Sequence, residues 1–362
     1  MNNVWEKSMK VFMKFGGVCL TVISLWLPLQ AVACNFPAGF FHRMEVNPGT
    51  IFVGRDAPIG TEITRWIFDE AGFGPPSGNG RYDCPTGSRI EAMTPLPQIH
   101  NSPLVPAGEV ILQTRIPGIG LVVSAHMMGG GRTEFWNFVP AQGHRNFGVP
   151  YVATQTNSET ARIGSVWLFY RLIKIGPTQP GMGPQSLAGH TLVEFTSSTH
   201  GKVLDIVIAS GALDEAMCGL PAGPGKQITV PMGTWRTGQF RGEGSVTDTM
   251  SFNVALEACQ AGTSYENRNF AHLRLDPRNG SSVLDAQRGI LGLNSDSDAT
   301  GVGVQVLKDD LTPMPLTEEV QMVRMRNGDI QIPMAARYIQ VGKDTPVGGV
   351  ANASVGFTLT YK

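Results

Sequence analysis

The chain has 362 residues, which is enough for two domains that each bury a core, and its formal net charge is only −1. Charged residues make up 16% of the chain and form no basic or acidic block, which excludes the electrostatic footprint of a nucleic-acid-binding protein. Its 44 Gly and 25 Pro interrupt long helices and separate short elements. This composition predicts an all-β architecture.

The first 33 residues have the pattern of a secretory signal peptide. Lysines precede an apolar run over residues 18–27, and Ala31 and Ala33 place small residues at positions −3 and −1 of a cleavage site. The run is shorter than the roughly 20 residues that span a bilayer. We therefore predict export with cleavage after Ala33. The alternatives are an N-terminal membrane anchor and a lipoprotein site at Cys34, although Ala31 stands where such a site prefers leucine.

Cleavage at that position leaves four cysteines, and an even number in an exported protein predicts disulfides. They are Cys34, Cys84, Cys218 and Cys259. Of the three possible pairings, the sequence-local one joins Cys34 to Cys84 and Cys218 to Cys259. A metal site is the competing interpretation, and the absence of any CxxC spacing disfavours it.

Strand-like runs rich in Val, Ile, Phe, Trp and Thr recur through the first half. We predict strands at 50–53, 62–68, 109–116, 120–126, 133–139, 165–175 and 191–195. Gly- and Pro-rich stretches at 176–189 and 219–225 flank an alternating piece at 203–209. We therefore place a domain boundary near residue 210, which gives domains over 34–210 and 211–362.

The second half alternates apolar and polar residues more regularly. Its predicted strands are 227–232, 249–259, 270–275, 301–307, 330–339 and 354–361. Six short alternating strands in about 140 residues predict an immunoglobulin-like sandwich.

Four features of the second half occur in a fixed order. Cys218 and Cys259 lie 41 positions apart, a strand-like run over 250–259 leads into the second cysteine, and residues 299–306 form a further alternating strand. The chain then ends with Gly349, an alternating strand and the penultimate Tyr361. Over residues 218–362 this pattern resembles the pilin domain of chaperone–usher fimbriae. The resemblance implies that Cys218 and Cys259 form the pilin disulfide.

The resemblance also implies a sandwich that lacks its last strand, so that the fold is two immunoglobulin-like or jelly-roll-type β-sandwiches with an incomplete second one. A periplasmic chaperone, and later an adjacent fimbrial subunit, would donate the missing strand, a form of β-augmentation that hides an aggregation-prone edge. An outer-membrane usher is the third implied partner. The predicted groove residues are Gly349, Phe357, Leu359 and Tyr361. On alternation alone, an ordinary final strand in a complete sandwich is equally favoured.

The predicted mature chain starts at Cys34, and about 180 residues precede the pilin half. With no donor extension before the first pilin cysteine, this order resembles the tip adhesins of such fimbriae. It implies attachment at the fimbrial tip, on the cell surface, to a host or surface receptor, with glycan as the default ligand. The alternatives are a minor subunit that caps or initiates the fibre and a secreted hydrolase. Neither a Walker loop nor a GxSxG elbow occurs, so no catalytic residue and no enzyme is predicted.

A sugar site combines polar side chains that fix hydroxyl groups with an aromatic face. One region of the first half supplies both, and Asn157 and Glu159 lie in a later polar loop. The receptor-binding candidates of that region are Arg132, Glu134, Trp136, Asn137, Gln142, His144, Arg145 and Asn146. Because Trp136 stands between Phe135 and Phe138, a place in the core is the alternative for its side chain.

Histidines of the first half raise the question of a metal. Some fimbrial tip domains hold zinc through histidine, and here His126 and His144 are the candidate ligands. Zinc takes about four ligands, and the sequence has neither HxH nor HExxH. We therefore predict no cofactor, with zinc in the N-terminal domain as the alternative.

Overall fold

The computed structural model describes residues 32–72, 81–128, 136–140, 147–179, 181, 183–222, 227–262 and 268–362. Within these residues the chain consists of β-strands and loops, with one 3₁₀ turn at Thr237–Gln239 and no α-helix. The predicted all-β class is confirmed. Nothing in the described part is a helix long and apolar enough to cross a membrane. The predicted signal peptide, residues 1–33, falls almost entirely outside the described residues.

Fifteen of the described strands lie between His42 and Ile208. They are β1 (His42–Val46), β2 (Thr50–Gly54), β3 (Ile67–Gly72), β4 (Tyr82–Cys84), β5 (Arg89–Met93), β6 (Gln98–Ile99), β7 (Ile111–Gln113), β8 (Ile119–Met128), β9 (Trp136–Pro140), β10 (Tyr151–Gln155), β11 (Ala161–Ile163), β12 (Ser165–Lys174), β13 (Gln185–Ser186), β14 (Thr191–Ser197) and β15 (Gly201–Ile208).

Two sheets dominate this first domain. One has the order β1-β15-β14-β5-β10-β9, and the other has the order β3-β12-β8-β7-β6. A large hydrophobic core with members from Cys34 to Leu213 contains residues of both sheets, and a smaller cluster includes Val122 and Ile173. Strand β12 illustrates the principle, because successive side chains of a strand point to opposite faces. Its Val166, Leu168 and Tyr170 are fully buried while the intervening Trp167 is exposed.

Nine further strands follow. They are β16 (Ala212–Gly219), β17 (Met250–Gln260), β18 (Phe270–Arg278), β19 (Val283–Asp285), β20 (Ile290–Leu291), β21 (Val302–Lys308), β22 (Glu319–Arg324), β23 (Gly328–Gln340) and β24 (Ser354–Tyr361).

These strands build the second domain around its own core, which contains buried residues from Ala216 to Tyr361. One sheet has the order β13-β16-β17-β23-β21-β20-β19, with β2 also paired to β16, and the other has the order β22-β18-β24. The predicted strands at 249–259, 270–275, 301–307, 330–339 and 354–361 are confirmed as β17, β18, β21, β23 and β24. The prediction of a strand at 227–232 is wrong, because that segment forms no ladder with another described strand.

Both predicted disulfides are present. Cys34 is bonded to Cys84 in the first core, and Cys218 is bonded to Cys259 in the second. Each closes a loop of several tens of residues, for which loop-closure entropy gives a stabilisation of roughly 2–4 kcal/mol. Each domain therefore carries one covalent link within its own core.

Strand β16 is shared by the two domains. Its Leu213 belongs to the first core and its Ala216 to the second. Strand β2 runs parallel to it and pairs over residues 212–216. The boundary predicted near residue 210 therefore lies just before a strand that contributes to both cores.

Candidate functional site

The second domain contains a groove with a volume of about 1140 Å³. Its floor is apolar and comes mainly from alternate residues of three strands of the large sheet. The floor residues are Phe252 and Val254 of β17, Val302, Val304 and Val306 of β21, and Met334 and Ala336 of β23. Sequence analysis predicted these strands but did not assign their inward-facing residues to a site. The period-2 alternation of these strands was the feature of the sequence that could have identified their inward-facing residues.

One wall of the groove is the start of β24 together with residues 346–353 before it. Strand β24 pairs with β18 along its whole length, from Ser354 opposite Arg278 to Tyr361 opposite Ala271. It pairs with no other described strand, so no strand covers its second backbone edge, on which only Tyr361 is bonded, to Asp56. Its partly buried Val355 packs against the second core. Strand β24 is thus an edge strand that lies beside an apolar groove.

The opposite wall is the extended segment 227–235. Ile228 packs against the second core, and the indole of Trp235 donates a hydrogen bond to Met232 O at 2.7 Å. This segment and the start of β24 both line the groove, and the segment forms no ladder with any described strand. Alternation along a segment therefore does not by itself give it a strand partner.

Gly349 allows the β24 wall to approach the neighbouring loop. A Cβ atom at this position would lie 2.7 Å from Ala299 N, closer than side chains tolerate. The backbone N–H groups of Asp298 and Ala299 both donate to Val350 O at 3.1 Å, and Val350 N donates back to the Asp298 carboxylate. A residue without a side chain is therefore required where these two backbones meet.

The other three predicted groove residues occupy different environments. Phe357 lines the groove, whereas Leu359 is partly buried against the second core. Tyr361 is buried, and its hydroxyl donates to Cys218 O at 3.1 Å. Burial raises the pKa of this hydroxyl. Tyr361 therefore anchors the end of β24 rather than lining the groove.

The end of β24 is also bonded to the first domain. Asp56 N donates to Tyr361 O at 2.9 Å, and Tyr361 N donates to Asp56 Oδ2 at 3.0 Å. The guanidinium of Arg55 lies 5.3 Å from the Tyr361 ring centre. Nearby, Arg268 of the second domain pairs with Glu62 of the first at 3.1 Å. The strand that borders the groove is thus bonded at its end to the first domain.

Most of the receptor-binding candidates cannot be placed. Arg132, Glu134, Gln142, His144, Arg145 and Asn146 lie outside the described residues. Trp136 is only 6% exposed and belongs to the first core, so its ring is unavailable to a ligand and the core alternative is correct. Asn137 is exposed on β9. The side chain of Asn157 accepts a hydrogen bond from Glu159 N at 2.8 Å, which gives it a local structural role.

The candidate zinc ligand His126 lies on β8 among aromatic rings. Its ring stacks on Phe147 with centroids 4.1 Å apart, and its Nε2 lies 3.0 Å from Ser124 Oγ. Burial lowers its pKa, so the ring is neutral at pH 7. No three potential ligands converge among the residues that the structure describes, and His144 lies outside them. The described residues therefore do not supply a zinc ligand set.

Comparison with known proteins assigns the second domain. Residues 209–362 match the family of fimbrial proteins. The fimbria adhesin protein of Klebsiella pneumoniae is 26% identical over 368 residues, which cover 97% of this chain and 99% of that relative. Residues 209–362 are thus similar to fimbrial proteins, and nearly the whole chain is similar to a fimbria adhesin.

Other proteins are similar to parts of this chain or to most of it. The fimbrial-like protein FimF of Salmonella typhimurium is 26% identical over 179 residues, 49% of this chain and 90% of that protein. The solved CupB6 tip adhesin from Pseudomonas aeruginosa is 15% identical, with a TM-score of 0.37 over 91% of this chain and 95% of that chain. The solved receptor-binding domain of the Klebsiella pneumoniae adhesin MrkD1P is 16% identical, with a TM-score of 0.31 over 52% of this chain and 99% of that domain.

Proposed function

We propose that this fimbrial adhesin is the distal subunit of its fibre, in which the first domain binds a glycan receptor and the second domain accepts a strand from another polypeptide. The observation that carries the proposal is the apolar groove between the unpaired edge of β24 and the segment 227–235. The donors are a periplasmic chaperone during export and an adjacent fimbrial subunit afterwards. An outer-membrane usher conducts the exchange.

A strand is the occupant that satisfies both kinds of surface in the groove. Its backbone would form a ladder with the free edge of β24, and its alternate side chains would cover apolar floor residues such as Val304 and Met334. Burial of apolar surface stabilises by roughly 25 cal/mol per Å², and an open groove of this kind exposes the domain to edge-to-edge aggregation. A small apolar ligand would leave the backbone edge unpaired.

The adhesive part of the proposal is supported by the likeness to a fimbria adhesin over nearly the full length of the chain. Glycan arrays probed with the mature chain, purified in complex with its chaperone, test this part. We expect selective binding to a subset of glycans. If no glycan binds, the alternative of a subunit that caps or initiates the fibre without a ligand is favoured.

Substitution of the groove floor tests the strand-accepting part. Val304 is 7% exposed at the centre of the floor, and Val304→Asp would place a charge where donor side chains must pack. We expect the variant to lose co-purification with the chaperone and to be degraded in the periplasm. Val304→Phe keeps the floor apolar but fills part of the groove, and it should also weaken capture of the variant by the chaperone.

The matched control is Val283→Asp on β19, where the side chain is 37% exposed and does not line the groove. This variant should be captured and assembled as well as the unmodified chain. Normal chaperone capture and surface assembly of both Val304 variants would contradict the proposal.

A further inference from the structure

Aromatic side chains cover one end of the outward face of the β3-β12-β8 sheet. A small apolar cluster that includes Val122 and Ile173 is buried at the other end of this face, and the uncovered part of such a face normally carries polar residues. Here Trp66 is 41% exposed, Phe68 49% and Trp167 36%. Large aromatics usually bury, and contiguous exposed apolar patches mark interaction sites. The feature therefore needs an explanation that the fold alone does not provide.

Strand register brings these side chains together. Phe169 lies directly opposite Phe68, and Trp167 lies opposite Glu70, so all four point to the same face. The ring centroids of Phe68 and Phe169 are 5.0 Å apart, and those of Phe68 and Trp167 are 6.0 Å apart at a nearly perpendicular angle. The intervening Leu168 is fully buried beneath them. The result is an aromatic platform supported by the first core.

The platform continues across β8. His126 lies opposite Trp167, with its ring 5.4 Å from that of Phe169 and stacked on Phe147. Phe147 has a φ of +69°, which non-glycine residues seldom adopt. Its carbonyl oxygen accepts hydrogen bonds from Ala125 N at 3.0 Å and Ser124 Oγ at 3.1 Å. Such conformations persist only where the surroundings hold them, and they concentrate at binding sites.

The charges around the platform restrict the chemistry of a ligand. Glu70 is exposed beside Trp167 and forms no ion pair with another described residue. At the other end, Arg171 pairs with Glu62 and Glu109 and lies 4.8 Å from the ring centre of Trp66. A cationic ligand would therefore compete with the Arg171 guanidinium, which already lies against the Trp66 ring. A neutral ring with weakly positive C–H faces would complement the negative faces of the aromatic rings, while its hydroxyl groups could donate to the Glu70 carboxylate.

We propose that Phe68, Trp167 and Glu70 form the receptor-binding surface of the first domain and that it takes a neutral saccharide. The sugar ring stacks on the Trp167 and Phe68 side chains, and a hydroxyl donates to Glu70. This inference rests on the proposed adhesive function and specifies where that function resides. It differs from the sequence-based candidates, of which Trp136 is buried.

The experiment measures binding of the mature chain, in complex with its chaperone, to an array of neutral glucose-, galactose- and mannose-terminated oligosaccharides. Variants Trp167→Ala and Phe68→Ala should each weaken binding by about tenfold or more, as buried aromatic anchors do. Glu70→Gln keeps the shape and should weaken it by a few-fold. Met93→Ala, an equally exposed apolar residue on β5 of the other sheet, is the control and should bind normally.

Thermal unfolding of each variant shows whether the surface changes leave the fold intact, and Glu70→Gln provides a test that removes no packing. Binding that persists unchanged in all three platform variants would overturn this inference while leaving the adhesive function standing. Absence of glycan binding by the unmodified chain would overturn both. Binding of a lysine-rich peptide alone, lost between about 0.15 M and about 1 M salt, would replace the saccharide with a cationic polypeptide.

Discussion

The groove of the second domain and the aromatic platform of the first are both exposed apolar surfaces, but their backbones differ. In the groove, β24 has one unpaired edge and the segment 227–235 forms no ladder. In the platform, β12 is hydrogen bonded to β3 on one side and to β8 on the other. In the groove the apolar floor lies beside an unpaired strand edge, whereas the rings of the platform stand on the face of a sheet.

Because of this difference, the groove must be covered for the second domain to fold stably, whereas the platform is free to bind a ligand. An unpaired apolar edge must be covered for the domain to remain soluble, so its occupant becomes part of the fold. Exposed rings on the face of a sheet can remain in water, because they are supported from below by residues such as Leu168. We expect changes near the groove to alter stability and assembly, and changes on the platform to alter ligand binding with little change in stability.

The largest of the remaining effects is expected at the groove wall. Gly349→Ala would push a methyl group into the backbone at Ala299 and separate the two loops that form this wall. Overpacking of this kind costs about 1–3 kcal/mol. Urea unfolding of the chaperone complex should show the loss. Gly342→Ala has no atom within 4 Å of its new Cβ and should be neutral. Equal stability of the two variants would refute this account of the wall.

A smaller effect is expected where β24 ends. Tyr361→Phe removes the hydrogen bond to Cys218 O and leaves that carbonyl without its side-chain donor, which costs about 1 kcal/mol. The loss should appear as a lower urea midpoint at unchanged slope. Tyr82→Phe in the first domain, whose hydroxyl has no hydrogen-bond partner among the described residues, serves as the control. If both variants unfold at the same midpoint, the hydroxyl contact contributes nothing.

The smallest effect concerns pH and the platform. Burial lowers the pKa of His126 below its usual 6.5, so the unfolded chain takes up this proton at a higher pH than the folded chain does. The contribution of His126 is thus fully present above the usual pKa and declines as pH falls through that value towards the lower folded pKa. His126→Gln should reduce the slope of the unfolding free energy against pH below the usual pKa of 6.5. An unchanged slope would show that His126 does not titrate differently in the two states.

Regular alternation made much of the second domain predictable. Strands β17, β21 and β24 were predicted within one or two residues, because each buries one face and the pattern records that burial directly. The same pattern at 227–232 led to the wrong prediction of a strand. Alternation specifies the two faces of a segment, but it does not specify whether another strand lies beside it. The disulfides were predicted because sequence-local pairing also keeps each bridge within one core.

The platform was not predictable in this way. Residues 165–174 are apolar on both faces, so the sequence does not indicate whether Trp167 or Leu168 faces the core. Trp136 was chosen as a ligand contact from its polar neighbours, whereas the pairing of β9 at the sheet edge places its ring in the core. In both cases the packing of the two sheets, and not the local pattern, decides the exposure of an aromatic residue.

By itself the sequence predicted the all-β class, the sequence-local pairing of the cysteines and five strands of the pilin-type domain, because these depend on composition, on spacing along the chain and on local periodicity. The tertiary structure alone decided that β24 keeps an unpaired edge and that Phe68, Glu70 and Trp167 share one exposed face. The physical reason is that a strand encodes which side chains lie on each of its faces, while the neighbours that cover a face or pair with an edge come from distant parts of the chain.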